Sequence, residues 1–598
     1  MVRRFAFTCS EGGVFSRFSL YNKYRDGVML MHKGCCIVLL AFALLVHGAP
    51  ALSSERPFNV MDFSGPQMRE LYYVTIRDMD AQLMAMSTGQ IDVLSDIFRP
   101  IDVRRLAESD TVDLSLASTF HAFFITFNVR RFPWDQLDLR LAASKVVNRR
   151  QWTRDLFAGF AEPLATFLPH VSPYYEPNVE ILPHGIESAR QFLADAGWTW
   201  NRSGWLVAPD GREVPPTRIF SPPSTVAATS TEIAHLMAEG LRAIGMPVEA
   251  EPMDFQTMIA RINVQDFDAC TNAWNMGRNP TSLFSFYHSS MDVEGGFNMS
   301  GIADPELDAV LHNLRHAPDR QAAREFASEA QKMLSTLMPV IPLYSRYSIS
   351  AIRNDWDGVF TTDRVTSDNT FTLISMAPKN GAERPIFWSI PDEIRTLNPL
   401  VSSTAYDWTV LGAVYNGLIS VDPYTFEDVP WLAESWSIYT EPEGTVLLFT
   451  LRPGLEWHDG RPFTAEDVAF SLEFIRDNRV PRFYDNVRDI TSTEVEGRTI
   501  RVQMGTTSYW HLSNIGGMLI LPRHILKNVQ DWRTWQPTNN PHKALDGTIM
   551  TELIGTGPFV FRESRTGEFV HMTRNERFFL YRGRGAEAAS LAPSLQRR

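Results

Sequence analysis

The sequence lacks several features that would assign it to a class at once. Only one of its four cysteines, Cys270, lies after residue 51, so an exported form has no internal disulfide and depends on its hydrophobic core. Acidic residues outnumber basic ones, 69 to 56, and the net charge of −13 argues against a nucleic-acid partner. The chain contains no HExxH, GxSxG or P-loop motif and no CxxC pair, and its 14 histidines are scattered. We therefore predict no catalytic residue, no metal site and no cofactor.

Long hydrophobic runs are also missing, with one short exception near the start. The apolar run Ile37–Val46 precedes the small residues Ala49-Pro50-Ala51. About ten apolar residues are too few to span a bilayer core of about 30 Å, but they suit a signal peptide. We predict export after cleavage of residues 1–51, with translation starting as late as Met29 or Met31. The alternative is a retained N-terminal anchor.

The most informative stretch that is present lies near residue 450. An alternating apolar run, Val446–Leu451, predicts a strand, and Trp457 lies in a second short strand that ends at an Asp459-Gly460 turn. Thr464 and Asp467 then form a T-x-x-D arrangement typical of a helix N-terminus, and apolar residues follow at helical spacing. The stretch predicts a short hairpin that leads into a capped helix.

The block from Leu432 to Ser471 resembles the signature region of the family 5 extracellular solute-binding proteins of ABC importers, which include oligopeptide, dipeptide and nickel receptors. The resemblance implies an α/β, periplasmic-binding-protein-like fold of class II, cluster C type, with two lobes and an extra small domain. His458 and Asp459 would then belong to the scaffold. We assign them no chemistry, because a DG turn ahead of a capped helix is a structural device.

Other segments resemble parts of the same family, but their order is exchanged. Phe387–Pro399 resembles the start of a mature receptor, and Gly555–Phe579 resembles a segment that in the family runs directly into one like Leu71–Ile97 here. The family order would be 386–582 followed by 66–376. We interpret the exchange as a circular permutation, which proteins tolerate where the new ends fall in an exposed loop. The alternative is a misjoined gene model or the remnant of two tandem genes, giving a nonfunctional rearranged or truncated product.

The resemblance, together with a β-α-β pattern before residue 273 and a long amphipathic helix at Arg320–Leu337, predicts the domains. Residues 1–51 form the signal-peptide region, 66–115 part of lobe I, 116–349 lobe II, 350–375 a return to lobe I, 376–385 a linker, 386–420 lobe I, 421–484 the extra small domain, 485–582 lobe I and 583–598 a tail.

Two stretches are similar to segments that line the ligand in the family. The first, AWNMGRNP, offers Trp274 for packing on the ligand and the backbone of Asn275 and Met276 for pairing with it. The alternative places Trp274 in the core of lobe II. Peptide-binding members carry an Asp about three residues after the Trp for the ligand's ammonium group, and this chain has Gly277 and Arg278 there. A buried ammonium without a counter-charge is costly, which favours an anionic or N-blocked ligand held by Arg278.

The second stretch, which includes Glu393 and Ile394, lies on the predicted strand that opens the block following residue 385. Glu393 could accept a hydrogen bond from a ligand amine or a backbone N–H, which would restore a peptide ligand. Further candidates for the walls of the ligand site, each weighed against ordinary packing, are Tyr406, Tyr415, Phe483 and Tyr484.

From the resemblance we expect an exported, periplasmic or extracytoplasmic receptor of an ABC importer. It would capture a peptide-like or other small polar solute by closing its lobes, deliver the solute to the permease subunits, and act as a monomer without chemistry of its own. The alternatives are an extracytoplasmic sensor or chaperone-like adaptor on the same fold, and an enzyme such as a peptidase, which the missing motifs disfavour.

Overall fold

The computed structural model describes residues 58–583 apart from Phe98, Glu294 and Ser403. The chain divides into two units, Met1–Phe58 and Asn59–Arg598, and all described helices and strands belong to the second. The predicted signal peptide, residues 1–51, lies outside the described residues, as does the predicted tail beyond residue 583. Among the described residues no helix is both long and apolar enough to cross a membrane.

Lobe I takes its elements from three separate parts of the chain. Before lobe II come β1 (Glu70–Thr75), α1 (Met79–Thr88), β2 (Val93–Leu94), α2 (Pro100–Ala107) and β3 (Val112–Ala117). After lobe II, and numbered below in chain order, come β12 (Ser348–Arg353), β13 (Trp356–Asp357), α11 (Thr370–Ser375), β14 (Ala377–Pro378), β15 (Ile386–Ile390) and α12 (Ala405–Val414). The last part contains β24 (Phe559–Arg565) and β25 (Phe569–Arg574).

One sheet joins these three parts. Within residues 70–574, seven strands form it in the order β24-β25-β1-β15-β2-β12-β3. β1 lies between a parallel partner, β15, where Leu71 is opposite Ile386, and an antiparallel partner, β25, where Leu71 is opposite Met572. All three side chains are fully buried. Strands that lie hundreds of residues apart in sequence therefore share one core.

Lobe II is a single continuous insertion. Its elements are β4 (His121–Phe127), α3 (Leu137–Lys145), α4 (Arg149–Phe157), β5 (Ala161–Pro163), α5 (Ile186–Asp195), β6 (Thr199–Trp200), β7 (Leu206–Val207), β8 (Thr217–Ser221), α6 (Ser224–Ala243), β9 (Val248–Pro252), α7 (Phe255–Asn263), β10 (Ala269–Asn275), α8 (Ser282–Tyr287), α9 (Pro305–Arg315), α10 (Arg320–Leu337) and β11 (Val340–Arg346). Between residues 121 and 346, six strands form a sheet in the order β5-β11-β4-β10-β8-β9.

The central strand of lobe II, β4, explains why helices cover this sheet on both sides. Alternate side chains of a strand point to opposite faces. Phe123, Ile125 and Phe127 belong to one hydrophobic cluster, and Ala122 and Phe124 to another. A strand that is apolar on both faces requires a layer of helices on each.

Two short chain crossings connect the lobes. Residues 118–120 lead from β3 of lobe I to β4 of lobe II, and Tyr347 alone separates β11 of lobe II from β12 of lobe I. A pair of such crossings is the usual form of a hinge, in which a few residues absorb the change in backbone angles when two lobes close.

The small domain follows a β-hairpin, β16 (Ile419–Val421) and β17 (Asp428–Pro430). Its elements are β18 (Ala433–Glu441), β19 (Gly444–Leu451), α13 (Ala465–Asp477), α14 (Tyr484–Val487), β20 (Ile490–Glu496), β21 (Thr499–Met504), α15 (His511–Gly516), α16 (Arg523–Leu526), β22 (Pro541–Lys543) and β23 (Ile549–Thr551). The antiparallel sheet of residues 433–504 has the order β18-β19-β21-β20.

Two expectations for this region differ from the structure. The predicted boundary after residue 484 is wrong, because β20 and β21 continue the same sheet, with Phe449 of β19 opposite Ile500 of β21. The predicted second strand at Trp457 is not formed either. Glu456 and Pro462 make a single bridge there, and the hairpin partner of β19 is β18, upstream in the sequence. The strand at Val446–Leu451 and the capped helix are confirmed.

Candidate functional site

The two crossings bring polar side chains of both lobes to one region, which we call the hinge face and define by Asp96, His121, Arg346, Asp392 and Tyr406. His121 begins β4 and Arg346 ends β11, so both lie where lobe II meets the crossings. Asp96 follows β2 and Asp392 follows β15. Because β2 and β15 are parallel neighbours, these two carboxylates leave the lobe I sheet at the same edge. In open α/β sheets that edge is the common place for ligands.

The hinge face is electrostatically coupled. Burial and, to a smaller extent, the Arg346 charge together lower the pKa of His121 to about 4, so the imidazole is neutral at pH 7. Partial burial raises the pKa of Asp96, although Asp96 keeps an exposed surface, and Arg346 opposes this rise. Burial, Asp96 and Asp392 together raise the pKa of Tyr406. Groups from both lobes thus affect one another's charge.

A further carboxylate adjoins this region. Burial raises the pKa of Asp368, while hydrogen bonds from Thr366 and Ser95 lower it and the Asp96 charge raises it. The hinge face together with Asp368 therefore contains three carboxylates, Asp96, Asp368 and Asp392, and one guanidinium, Arg346. Sequence reasoning missed Asp96, His121, Arg346 and Asp368, because no spacing pattern links them.

The predicted stretch from Trp274 to Met276 lies beside the hinge face. Asn275 is paired with His121 across the β10–β4 ladder, and the Met276 N–H donates to the Phe120 carbonyl at 2.9 Å. Trp274 is half-buried and packs edge-on against Phe286 and Phe297, with ring centroids 5.2 and 5.6 Å away.

The side chains of this stretch differ in exposure. Trp274 belongs in part to the lobe II core, as the alternative expected, and its buried indole N–H has no hydrogen-bond partner within the described chain. Met276 is buried. Gly277 is exposed in the left-handed region with φ +65°, and nothing lies within 4 Å of the position that a Cβ would take.

Arg278 does not stand ready for an anionic ligand. Its guanidinium forms an ion pair with Asp428, and Nη1 donates to the Phe426 carbonyl at 2.9 Å. Only a fifth of the Arg278 side chain and an eighth of the Asp428 side chain are exposed. An anion would have to displace Asp428, so the sequence argument for Arg278 as an anion partner loses its support. The pair instead ties lobe II to the β16–β17 hairpin.

The remaining predicted residues do not form one wall. Glu393 is in an ion pair with Arg77, 2.7 Å away. Ile394 is half-buried. The Tyr415 ring is buried, and its hydroxyl has no hydrogen-bond partner within the described chain. Phe483 and Tyr484 lie at the start of α14, where Phe483 meets the Trp408 ring edge-on at 6.0 Å. Of these residues, Tyr406 has the strongest link to the hinge face.

The structure also assembles a group of potential metal ligands that the sequence did not predict. Asp459, His524 and His542 each offer one ligand atom, and these atoms lie within 4.8 Å of one another. Their spacing in sequence carries no signal. The description of the histidines as scattered is wrong at one place, because His312 on α9 and His316 at its C-cap have the i, i+4 spacing of one helical face, and their ring centroids are 4.6 Å apart.

The double crossing, the two α/β lobes and the polar groups between them define a two-lobed binding protein. The family model for bacterial extracellular solute-binding proteins, family 5, matches residues 59–293 and 427–591, which together make up more than half of the chain. The chain belongs to this family, and the resemblance found in the Leu432–Ser471 block is confirmed.

Curated relatives match over about half of their own length. The peptide transport periplasmic protein SapA of Salmonella typhimurium is 27% identical over 279 residues, which is 46% of this chain and 48% of the relative. Di/tripeptide-binding protein 2 of Pseudomonas aeruginosa is 23% identical over 262 residues, covering 44% and 47%. Among solved structures, the oligopeptide-binding protein AppA from Bacillus subtilis in complex with a nonapeptide is 18% identical, with a TM-score of 0.43 and coverage of 50% of this chain and 59% of that chain.

Proposed function

We propose that this chain is the solute-binding receptor of an ABC importer and captures a peptide-like or other small polar solute at the hinge face. The observation that carries the proposal is the double crossing at residues 118–120 and Tyr347, with polar groups of both lobes beside it. Sites between domains are a preferred place for small ligands, and a hinge allows the lobes to close over them. Export and delivery to permease subunits belong to the same proposal and are supported by the family.

The charges of the hinge face favour a solute with a cationic or hydrogen-bond-donating group. Asp96, Asp368 and Asp392 outnumber Arg346 there, and the pKa of Asp96 and of Asp368 is raised by burial. An ammonium group between them would relieve the cost of keeping these carboxylates charged. A peptide N-terminus is one such group, and it would be recognised here from lobe I.

The proposal is tested on the purified chain. Mass spectrometry of small molecules that co-purify identifies the solute, and calorimetry then measures its affinity. If the solute carries an ammonium group, Asp96→Asn should weaken binding by about tenfold, because a charge-assisted contact is worth about 1.5–3 kcal/mol. Asp110→Asn, an exposed change in the same lobe, is the control. Steady turnover of a peptide, or no bound solute and no affinity for any peptide tested, would contradict the receptor function.

We also propose that the exchanged order of the two blocks is a circular permutation. It is supported by β1, which pairs with both β15 and β25, and by contacts between the two blocks near residues 61–65 and 580–582. There the Gly65 N–H donates to the Leu580 carbonyl at 3.1 Å, and Arg582 Nη2 donates to the Met61 carbonyl at 2.8 Å. A short connection between residues 582 and 59 would therefore join ends that already lie close together.

A further inference from the structure

The group Asp459, His524 and His542 belongs to the small domain and shares no residue with the hinge face. Asp459 lies in the turn between the bridged residues Glu456 and Pro462, His524 lies in α16, and His542 lies in β22. Asp459 is fully buried, whereas the two histidine side chains are 19% and 16% exposed. The group is thus reachable from one side, and its anionic member lies at the bottom.

One carboxylate oxygen is the centre of the group. Asp459 Oδ2 lies 3.0 Å from His524 Nε2 and 2.7 Å from His542 Nε2. In a tetrahedral zinc site the ligand atoms are each about 2.0–2.2 Å from the metal, so they are separated from one another by about 3.3–3.6 Å, which is longer than both distances found here. Each imidazole would have to move away from the carboxylate oxygen by about 0.3–0.9 Å to open a position for an ion between two imidazoles and a carboxylate.

We propose that Asp459, His524 and His542 bind a divalent transition-metal ion, with zinc the best match and nickel or copper also suited. Imidazole nitrogen selects these ions over magnesium and calcium, which prefer oxygen ligands. Both histidines also line a surface cavity of about 530 Å³. The cavity is an entry path and leaves room for a water molecule as the fourth ligand.

The guanidinium of Arg461 contacts the proposed metal ligands. Arg461 Nη1 lies 2.6 Å from Asp459 Oδ2 and 3.1 Å from His542 Nε2, so the guanidinium contacts two of the three ligand atoms and would compete with an ion for them. The Arg461 side chain is 36% exposed and has solvent to move into. Glu552, which also lines the cavity, accepts hydrogen bonds from Trp535 and Asn540 at 2.7 and 2.8 Å and is therefore engaged as a scaffold residue.

The test measures zinc uptake by the tag-free chain after treatment with a chelator. Isothermal calorimetry with zinc chloride should show one tight site per chain, and cobalt as a stand-in should give visible absorption bands of an ion with nitrogen ligands. His524→Gln and His542→Gln should each weaken zinc by at least about tenfold, since even outer-shell partners are worth about 10–100-fold. Glutamine still donates a hydrogen bond to Asp459, so thermal melting should show these variants folded.

Two further variants separate this site from unspecific uptake. Arg461→Gln removes the competing cation and should strengthen zinc binding. His312→Gln/His316→Gln removes the histidine pair at the C-terminal end of α9 and should leave the tight site unchanged. The proposal is overturned if the wild-type chain takes up no stoichiometric zinc, if both single histidine variants bind as tightly as wild type, or if only the α9 double variant abolishes uptake. In that case Asp459, His524 and His542 form only a hydrogen-bond network.

Discussion

Two adjacent residues, His458 and Asp459, have different charge states in the folded chain. His458 and Asp459 are both buried, but the first is held neutral and the second is held charged. His458 Nε2–H donates to the Gly557 carbonyl at 3.0 Å, and Nδ1 accepts from the Gly555 N–H at 3.2 Å. Burial lowers the pKa of His458 to about 4, against the opposing effects of the Gly557 hydrogen bond and the Asp459 charge. His458 therefore connects the small domain to the segment that leads into β24.

Because His458 is neutral in the folded chain, it should make the free energy of unfolding fall as the pH is lowered. An unfolded histidine titrates near pH 6.5, so between pH 6.5 and 4 the unfolded chain binds a proton that folded His458 does not. The stability it contributes is complete above pH 6.5 and falls as the pH drops to 4, by up to about 1.4 kcal/mol per pH unit. In His458→Gln the free energy of unfolding should change less steeply with pH between 4 and 6.5, because unfolding takes up about one proton fewer. Urea unfolding at several pH values measures this slope.

His121 and His511, whose pKa values are also lowered to about 4, titrate in both proteins and cancel in this comparison. His235, which is exposed on α6, is the matched control, and His235→Gln should reproduce the wild-type slope. Equal slopes for wild type and His458→Gln would show that the buried ring does not stay neutral.

At the scale of one element, α13 shows how much local chemistry specifies. The Thr464 N–H donates to the Asp467 carboxylate at 2.9 Å, which satisfies a backbone group at the helix start. Trp457 Nε1–H donates to the same carboxylate at 3.3 Å, so the cap also attaches the helix to the preceding loop. Val468, Leu472 and Ile475 then bury the face at the expected spacing.

Removing this cap should cost more than a typical surface change. Asp467→Ala leaves the Thr464 N–H and the buried Trp457 indole N–H without their acceptor, and an unsatisfied buried donor costs about 1–3 kcal/mol. We expect a loss of about 2 kcal/mol in the free energy of unfolding, measured by denaturant titration. Glu466→Ala changes the exposed neighbour in the same helical turn, whose carboxylate also accepts from Thr464, and should cost less, about 0.3–1 kcal/mol. Equal losses in the two variants would mean that the carboxylate of Asp467 is not a cap.

At the scale of the whole molecule, the two blocks of the chain form one body. β1 has its parallel partner in one part of the second block and its antiparallel partner in another, and Leu71 is fully buried between them. Neither block can complete the lobe I sheet alone. The order of the blocks along the chain therefore matters less than the presence of both.

A reordered chain tests this directly. Residues 386–582, joined by a short glycine-serine linker to residues 59–376, should fold to the same structure with a thermal midpoint within about 5 °C of the original. The linker crosses a region where the blocks already touch, and the new ends lie at the 376–385 connection. A second reordered chain, opened at the buried residue Thr271 inside β10, is the control and should not fold. If both reordered chains fail alike, the permutation proposal is wrong.

The sequence by itself determined those parts whose causes lie within a few residues. The strand at Val446–Leu451, the caps of α13 and the amphipathic helix Arg320–Leu337 were predictable, because alternation, helical spacing and turn chemistry act over short distances. The family was identified from the Leu432–Ser471 block for the same reason, as a dense run of local signals.

Only the tertiary structure decided which distant groups meet. It paired Leu71 with Ile386 and Met572, engaged Arg278 with Asp428, and placed Asp96 near both Arg346 and Tyr406 at the hinge face. It also brought His524 and His542 to Asp459. Such contacts depend on how strands and helices pack across the lobes, which no periodicity along the chain encodes. The local strands, caps and helices could therefore be predicted from the sequence, whereas the partners of the charged residues could not.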